Sequence, residues 1–309
     1  MSPETKKHLT LLAKIAITLA LLAGSLSFVQ FDTLKDCLRN IRGAPLAFSA
    51  LLLVLGGFAG AASWLCVLRV RWPTIRYRET AACHWSGMFF NSFLPSNVGG
   101  DVVKGYMVGR GRGQPGFVVI SLLLDRALNL GLLTCIGLFA LLIRLNQRVW
   151  AAALPVGLIA LFLCSPALAK RLSKRMQRWP RTGIRGRLIP LLEPVFELMS
   201  TPRRFAQMLA AAGTSQFLKT WQNVFLCQAL GLDIPTLCVW YVIPLFGVVS
   251  TLPVSIGGLG LRETVALHLS RPLGLDSTHL IAFSLAGHLM VVLVNLLGAL
   301  PFIFSKRQR

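Results

Sequence analysis

Two stretches 158 residues apart repeat one phrase: Leu94-Pro95-Ser96-Asn97-Val98-Gly99-Gly100 and Leu252-Pro253-Val254-Ser255-Ile256-Gly257-Gly258. Each closes an apolar run and is followed at once by charge, Asp101 and Lys104 after the first, Arg262 and Glu263 after the second. In water such a phrase would be a turn leading into a surface helix. Here 54% of the residues are hydrophobic, 14% are charged and the mean hydropathy is +0.65, so the breaks fall inside hydrocarbon. A matched pair of Gly/Pro-broken segments in the two halves of a membrane chain points to a transport site near the bilayer midplane.

Crossing a core of about 30 Å takes roughly 20 helical residues. Six apolar runs meet that need approximately: Leu9–Phe28, Ala44–Leu68, Gly116–Ile143, Val149–Ser165, Phe205–Leu230 and Thr278–Phe304. Between them lie the broken segments Thr80–Gly109 and Pro235–Ser270. The arm Ala81–Leu94 would reach only about 21 Å as a helix. A hairpin that enters and leaves on one side, its irregular backbone shielded by protein, fits it better.

The net charge of +21 raises nucleic acid as a partner, but its distribution excludes that reading. Lys6, Lys7, Arg69, Arg71, Arg76, Arg78, Lys104, Arg110, Arg112, ten Lys/Arg in 166–204, and Lys306, Arg307 and Arg309 all fall on one side of the six-span arrangement. The other side holds Lys35, Arg39, Arg42, Arg144, Arg148, Arg262 and Arg271. This is the positive-inside bias and places both termini in the cytoplasm. The basic loops should rest on anionic headgroups at about 1 kcal/mol per charge. The 166–204 connection should contain an interfacial amphipathic helix.

Seven cysteines form no CxxC pair and no metal-ligand spacing, and most sit in or beside apolar runs as small hydrophobes. The first apolar run resembles a signal peptide in outline; an uncleaved span preserves the symmetry described next.

Followed from a cytoplasmic start, residues 1–146 and 147–309 each read span, span, hairpin, span, with opposite orientation. The expectation is an all-α polytopic membrane protein with six spans and two opposed re-entrant hairpins in an inverted-topology repeat.

Ionisable groups inside spans cost about 2.5–3.5 kcal/mol each on insertion scales, which makes them candidates for function. Ser121, Asp125 and Asn129 share one face of the third span, and Arg126 points about 100° away from Asp125, so each needs partners from elsewhere. Gln216, Lys219 and Asn223 form a stripe in the fifth span, and Ser284, His288 and Asn295 one in the sixth. Gly99, Gly100, Gly257 and Gly258 would free backbone N–H groups at the starts of the returning helices, where the dipole favours an anion. Lys104, Arg126, Lys219 and Arg262 would hold that anion, with Asn91, Ser96, Asn97 and Ser255 near the tips. The competing role for Asp101, Asp125 and Glu263 is to neutralise those cations. Val at Gly100 or Gly258 should impair function equally, while changes at mid-span Gly131 and Gly298 should be milder unless they make close contacts. The histidines lack HxxxH or HExxH spacing and no P-loop is present, so neither a catalytic centre nor a cofactor is expected.

The string Phe93-x-Pro95-Ser96-x-x-Gly99-Gly100-Asp101-x-x-Lys104, the Asp125-Arg126 pair, and Pro253-x-Ser255-x-Gly257-Gly258-Leu259-Gly260-x-Arg262-Glu263 together resemble the flippase-like family that includes the transmembrane region of lysylphosphatidylglycerol synthases. That resemblance spans nearly the whole chain. It implies a non-enzymatic lipid translocase whose cargo carries an anionic, aminoacylated or glycosylated headgroup. In the synthases a soluble aminoacyl-transfer domain follows the membrane part; the sequence stops at Arg309 after the last apolar run, so translocation without lysyl transfer is expected. A lipid-modifying enzyme as partner and self-association are compatible with it. An accessory subunit of a glycolipid or lipid-modification pathway and a membrane enzyme acting on a lipid phosphate remain the alternatives.

Overall fold

The computed structural model describes residues 39–93, 99–178, 183–251, 255 and 258–305. The expected span Leu9–Phe28, and Ser96, Asn97 and Gly257 of the candidate site, lie outside them. The described residues form α1 (Gly43–Leu68), α2 (Tyr77–Phe93), α3 (Gly99–Gly109), α4 (Pro115–Arg144), α5 (Arg148–Gln177), α6 (Gly183–Ser200), α7 (Pro202–Ala229), α8 (Thr236–Ser250), α9 (Leu261–Leu273) and α10 (Ser277–Asn295). A 3-10 turn, Leu296–Gly298, leads on into α11 (Ala299–Ser305). No strand occurs among the described residues.

Four stretches are long and apolar enough to cross a membrane: Gly43–Leu68, Pro115–Arg144, Arg148–Met176 and Ser277–Ile303. They correspond to four of the expected spans. The third runs well past the expected Val149–Ser165, through Pro155 and Pro166, and ends in the basic turn Lys174-Arg175, where cations favour a helix C-terminus. The expected span Phe205–Leu230 is α7, whose 28 residues suffice for crossing but whose composition is not apolar enough to stand with the other four. Its polar residues explain this, because Ser215, Gln216, Thr220, Gln222 and Asn223 are all buried within the bundle.

Helix α7 runs against α1 over most of its length, the most extensive helix contact in the fold. Glycines permit the approach: a Cβ on Gly56 would stand 3.0 Å from Lys219 Cγ, and Ser215 Oγ donates to the Gly56 carbonyl at 2.7 Å. Such small-residue contacts, backed by interhelical hydrogen bonds, are how helices associate where lipid is as apolar as leucine. Ser49 Oγ adds a 2.7 Å bond to Gln222 Oε1. In contrast, α4 and α5 are peripheral, with Leu123, Val149, Val156 and Leu163 each more than half exposed. That outer apolar skin suits hydrocarbon rather than water.

The remaining helices pack crosswise. Helix α2 lies against α10, the 3-10 turn and α11, where Gly298 meets the backbone of Trp85 and Asn295 Nδ2 donates to Ser92 Oγ at 2.8 Å. Helix α8 lies against α4, where Gly137 meets Pro244 and Leu133 meets Gly247. Gly131 has nothing nearby, as expected of a tolerant mid-span position, but Gly298 does not share that freedom.

Ion pairs define one end of the bundle. Arg71 reaches Glu193 at 3.1 Å and Glu197 at 3.4 Å, tying the loop after α1 to α6. Arg112 reaches Glu79 at 2.5 Å, joining the start of α2 to the end of α3. At the opposite end the Arg42 amide donates to the Ala229 carbonyl at 2.8 Å.

Candidate anion site

The first broken segment closes on itself. Helices α2 and α3 touch at Gly87 and Gly100, where a Cβ on Gly100 would collide with the Gly87 carbonyl and with Asn91. The Gly100 N–H is already taken, donating to Asn91 Oδ1 at 2.9 Å. Lys104 is buried, with Nζ 2.6 Å from Asp125 Oδ2 and 4.1 Å from the ring centroid of Trp64. Arg126 Nε pairs with Asp101. The two adjacent residues of α4 therefore find separate partners on α3, as their angular separation requires. Asn129 Nδ2 donates to Asp125 Oδ1 at 3.1 Å and Gln216 Nε2 donates to Asn129 Oδ1 at 2.6 Å, carrying the network across to α7.

Two of the four cations expected to hold an anion are thus occupied by carboxylates, and the Gly100 amide by a carboxamide. Lys104 and Arg126 are structural pairs in this conformation. A buried pair of this kind is weak evidence for stability but costly to break.

The second segment is built differently. Gly258 has φ +80° and would drive a Cβ into Ser250, so glycine is required there on both counts. Glu263, fully buried, forms no ion pair with Arg262: its Oε2 accepts the Gly260 N–H at 2.7 Å and its Oε1 accepts from Ser284 Oγ at 2.7 Å. The Arg262 guanidinium lies 5.8 Å from the Phe246 ring centroid, and its Nε is buried without a hydrogen-bond partner among the described residues.

Arg262, at the start of α9, lines a partly open cavity of about 240 Å³ between α1, α2, α4, α7, α8, α9 and α10. Its polar wall is Gln216, Lys219, Thr220, Gln222, Asn223, Arg262 and Ser284, with Leu53, Met88, Phe246 and Phe283 among the apolar residues. No carboxylate lines it, and neither Lys219 nor Arg262 forms an ion pair among the described residues. The Thr220 hydroxyl is buried there without a partner. Asn223 Nδ2 donates to the Lys219 carbonyl at 2.8 Å, leaving its carbonyl oxygen beside Gly287.

Of the expected site residues, Lys219, Asn223 and Arg262 converge on this cavity. Asn91, Gly99, Gly100, Asp101, Lys104, Asp125, Arg126 and Asn129 belong to the α2–α3–α4 network, and Gly258 and Glu263 shape the entry to α9. Ser255 is buried with an unpartnered hydroxyl. Sequence reasoning undervalued Gln216 and Ser284, visible only as members of polar stripes, and had no signal for Thr220 and Gln222.

Two apolar grooves open on the outer surface. One, about 810 Å³, runs between α4, α5, α7 and α8 over Phe139, Leu158, Phe217 and Trp240. The other, about 630 Å³, lies between α3 and α4 with Arg110 and Arg126 in its wall.

A family model for the lysylphosphatidylglycerol synthase TM region matches residues 11–298. The chain belongs to that family. It is accordingly a membrane protein. No curated protein matches it.

Proposed function

We propose that this member of the family is a lipid translocase, moving a lipid with an anionic headgroup across a bacterial cytoplasmic membrane without converting it chemically. One observation carries the reading: a cavity walled by Lys219 and Arg262 has no carboxylate in its lining among the described residues. A cation in a membrane interior is expensive, so two of them beside a void, neither in an ion pair among the described residues, favour a reading in which the void receives negative charge. Acyl tails would occupy the groove between α4, α5, α7 and α8. Leu132 lines that groove while its neighbour Leu133 lines the cavity, so the two spaces flank the same turn of α4.

The inverted repeat remains our reading of the architecture. Reciprocal packing supports it: the first broken segment lies against the last span and the second against the third span, each through a span glycine (Gly298, Gly137). Rocking of one half against the other around the α1–α7 contact would expose the cavity alternately. The concentration of arginine and lysine at the end bearing Arg71 and Arg112 supports a cytoplasmic placement of that end and of both termini. Anionic lipids, and a lipid-modifying enzyme in the same leaflet, would be its neighbours there.

The test is movement of fluorescent phosphatidylglycerol across proteoliposome membranes. Arg262→Gln and Lys219→Gln should each lower the rate at least tenfold at unchanged folded yield. A rate no greater than in protein-free liposomes would end the translocase reading. Unaltered function in cells carrying both substitutions would point to an accessory subunit, and conversion of the lipid to a new product to an enzyme.

A further inference from the structure

We propose that His84 is a proton-binding site tied to the cavity, so that an anionic headgroup arriving beside Lys219 brings one proton with it. The inference rests on the reading that the cavity receives an anion, and adds a second, coupled ligand. Its basis is a buried imidazole outside both the cavity lining and the α2–α3–α4 network. His84, on α2, is 9% exposed, and neither ring nitrogen has a hydrogen-bond partner among the described residues. Buried polar groups are seldom left so, and each exception asks for a reason.

Glycines set the ring between two lysines. A Cβ on Gly60 of α1 would stand 3.2 Å from both His84 Nε2 and Ser215 Oγ, and one turn earlier a Cβ on Gly56 would stand 3.0 Å from Lys219 Cγ. One turn along α2 from His84, a Cβ on Gly87 would stand 2.9 Å from Lys104 Cβ. Both ammoniums act electrostatically on the ring, and one carboxylate serves them: Asp125 pairs with Lys104 and also acts on Lys219. The other elements packed on α2 add little charge. Helix α1, the 3-10 turn and α11 contain no acid, lysine, arginine or histidine, and α10 contributes only His279 and His288.

A proton added to His84 is therefore opposed by two ammoniums that share a single acid. An anion beside Lys219 removes part of that opposition, and imidazole is the side chain of this cluster that ordinarily titrates near neutral pH. The cavity wall is close, since Met88, one turn beyond His84 on α2, and Thr220, next to Lys219, both line it. The proton comes from water in the partly open cavity, adds to the ring nitrogen that carries the lone pair, and returns to water when the headgroup leaves. Linkage makes the effect reciprocal: a headgroup that strengthens proton binding must itself bind more tightly as pH falls.

The experiment adds dihexanoyl phosphatidylglycerol to the detergent-purified protein in weakly buffered solution containing a pH-indicator dye, with binding followed in parallel by thermal stabilisation between about pH 6 and about pH 8. Binding should take up about one proton per protein, and the apparent affinity should rise by up to about tenfold for each pH unit downward. His84→Gln and His84→Asn should bind the lipid with no proton uptake and with an affinity flat in pH. The parental protein alone decides whether binding takes up a proton, whatever the folded yield of the variants. Binding without uptake, or with proton release, would overturn the proton site and leave the translocase reading standing. Uptake that persists in both variants would place the proton elsewhere and overturn the role of His84. Stabilisation by phosphatidylglycerol at no pH would overturn the anionic-headgroup reading, and this coupling with it.

Discussion

Lys104 stands four residues after Gly100, and Arg262 four after Gly258, so the two broken segments present matched cations. Their surroundings are opposite. Lys104 meets Asp125 across 21 residues of chain; the residue 21 beyond Arg262 is Phe283, and its neighbour Ser284 donates instead to Glu263. The carboxylate on the span in the first half is replaced by an aromatic ring in the second, where the nearby acid, Glu263, sits on the returning helix and accepts a backbone N–H. One cation is thereby locked into the scaffold and the other is left facing a void. Two copies of one motif have divided between structure and binding, and the division follows from where a single carboxylate sits.

The sharpest way to break this comparison is to remove the acid. Asp125→Ala should destabilise the protein by about 3–5 kcal/mol, because it leaves Lys104 buried and uncompensated. Arg262→Gln should change stability far less, since it breaks no ion pair among the described residues, while abolishing lipid movement. Thermal unfolding in detergent, with lipid movement measured at matched protein, separates the two outcomes. Equal destabilisation by both would mean that Arg262 is a structural cation after all. A Lys104→Met/Asp125→Leu double variant should recover most of the stability lost by Asp125→Ala, as apolar replacements of buried pairs do.

Close-packed glycines come next. Gly298→Ala and Gly100→Ala both push a methyl into a backbone carbonyl, of Trp85 and Gly87 respectively, and neither carbonyl can move without shifting its helix. Gly258→Ala meets Ser250 and also strains a φ of +80°, at about 1–3 kcal/mol for the backbone alone. All three should lower the unfolding temperature by several degrees. A tolerant Gly298→Ala would remove the reciprocal packing on which the repeat reading leans.

How far the sequence foretold this follows from the same residues. Hydropathy located α1, α4, α5 and α10 because each is apolar over a bilayer's length; it counted α7 as one more apolar span, and the Gln216, Lys219 and Asn223 stripe marked its inward polar side without showing that α1 is what the helix packs against. Helical geometry required Asp125 and Arg126 to seek different partners. It could not say that Lys104 and Asp101 would be those partners, since that depends on how α3 docks on α4. Glu263 looked like the counter-ion of Arg262 by adjacency, yet adjacent helical residues diverge by about 100°, and its three-residue distance from Gly260 marks it as a capping acid. The cavity itself was invisible, because a void is a property of packing distances that no stripe of residues encodes.

Restoring the missing acid is a gentler probe. Ser284→Asp places a carboxylate on the span in the wall of the cavity that Arg262 also lines, one residue beyond the register Asp125 occupies relative to Lys104. The cavity should then lose its appetite for anions, and stabilisation of the detergent-purified protein by short-chain phosphatidylglycerol should weaken about tenfold. Undiminished phosphatidylglycerol binding would show that Arg262 is not what holds the headgroup.

The smallest expected effect separates the halves most cleanly. Gly131 on α4 has open space around it, whereas Gly287 on α10 lines the cavity, with a Cβ placed 3.6 Å from Asn223 Oδ1. Both are ordinary helical positions, so alanine should stabilise each by roughly 0.5–1 kcal/mol through lost backbone entropy. Only Gly287→Ala trims the cavity and crowds the one free acceptor of Asn223. Gly131→Ala should therefore leave lipid movement untouched, and Gly287→Ala should slow it a few-fold with no loss of stability. If both variants moved lipid at the parental rate, the headgroup would have to sit further from α10 than the wall of Asn223, Ser284 and Arg262 implies, which would shift the site towards Lys219 and the α1–α7 contact.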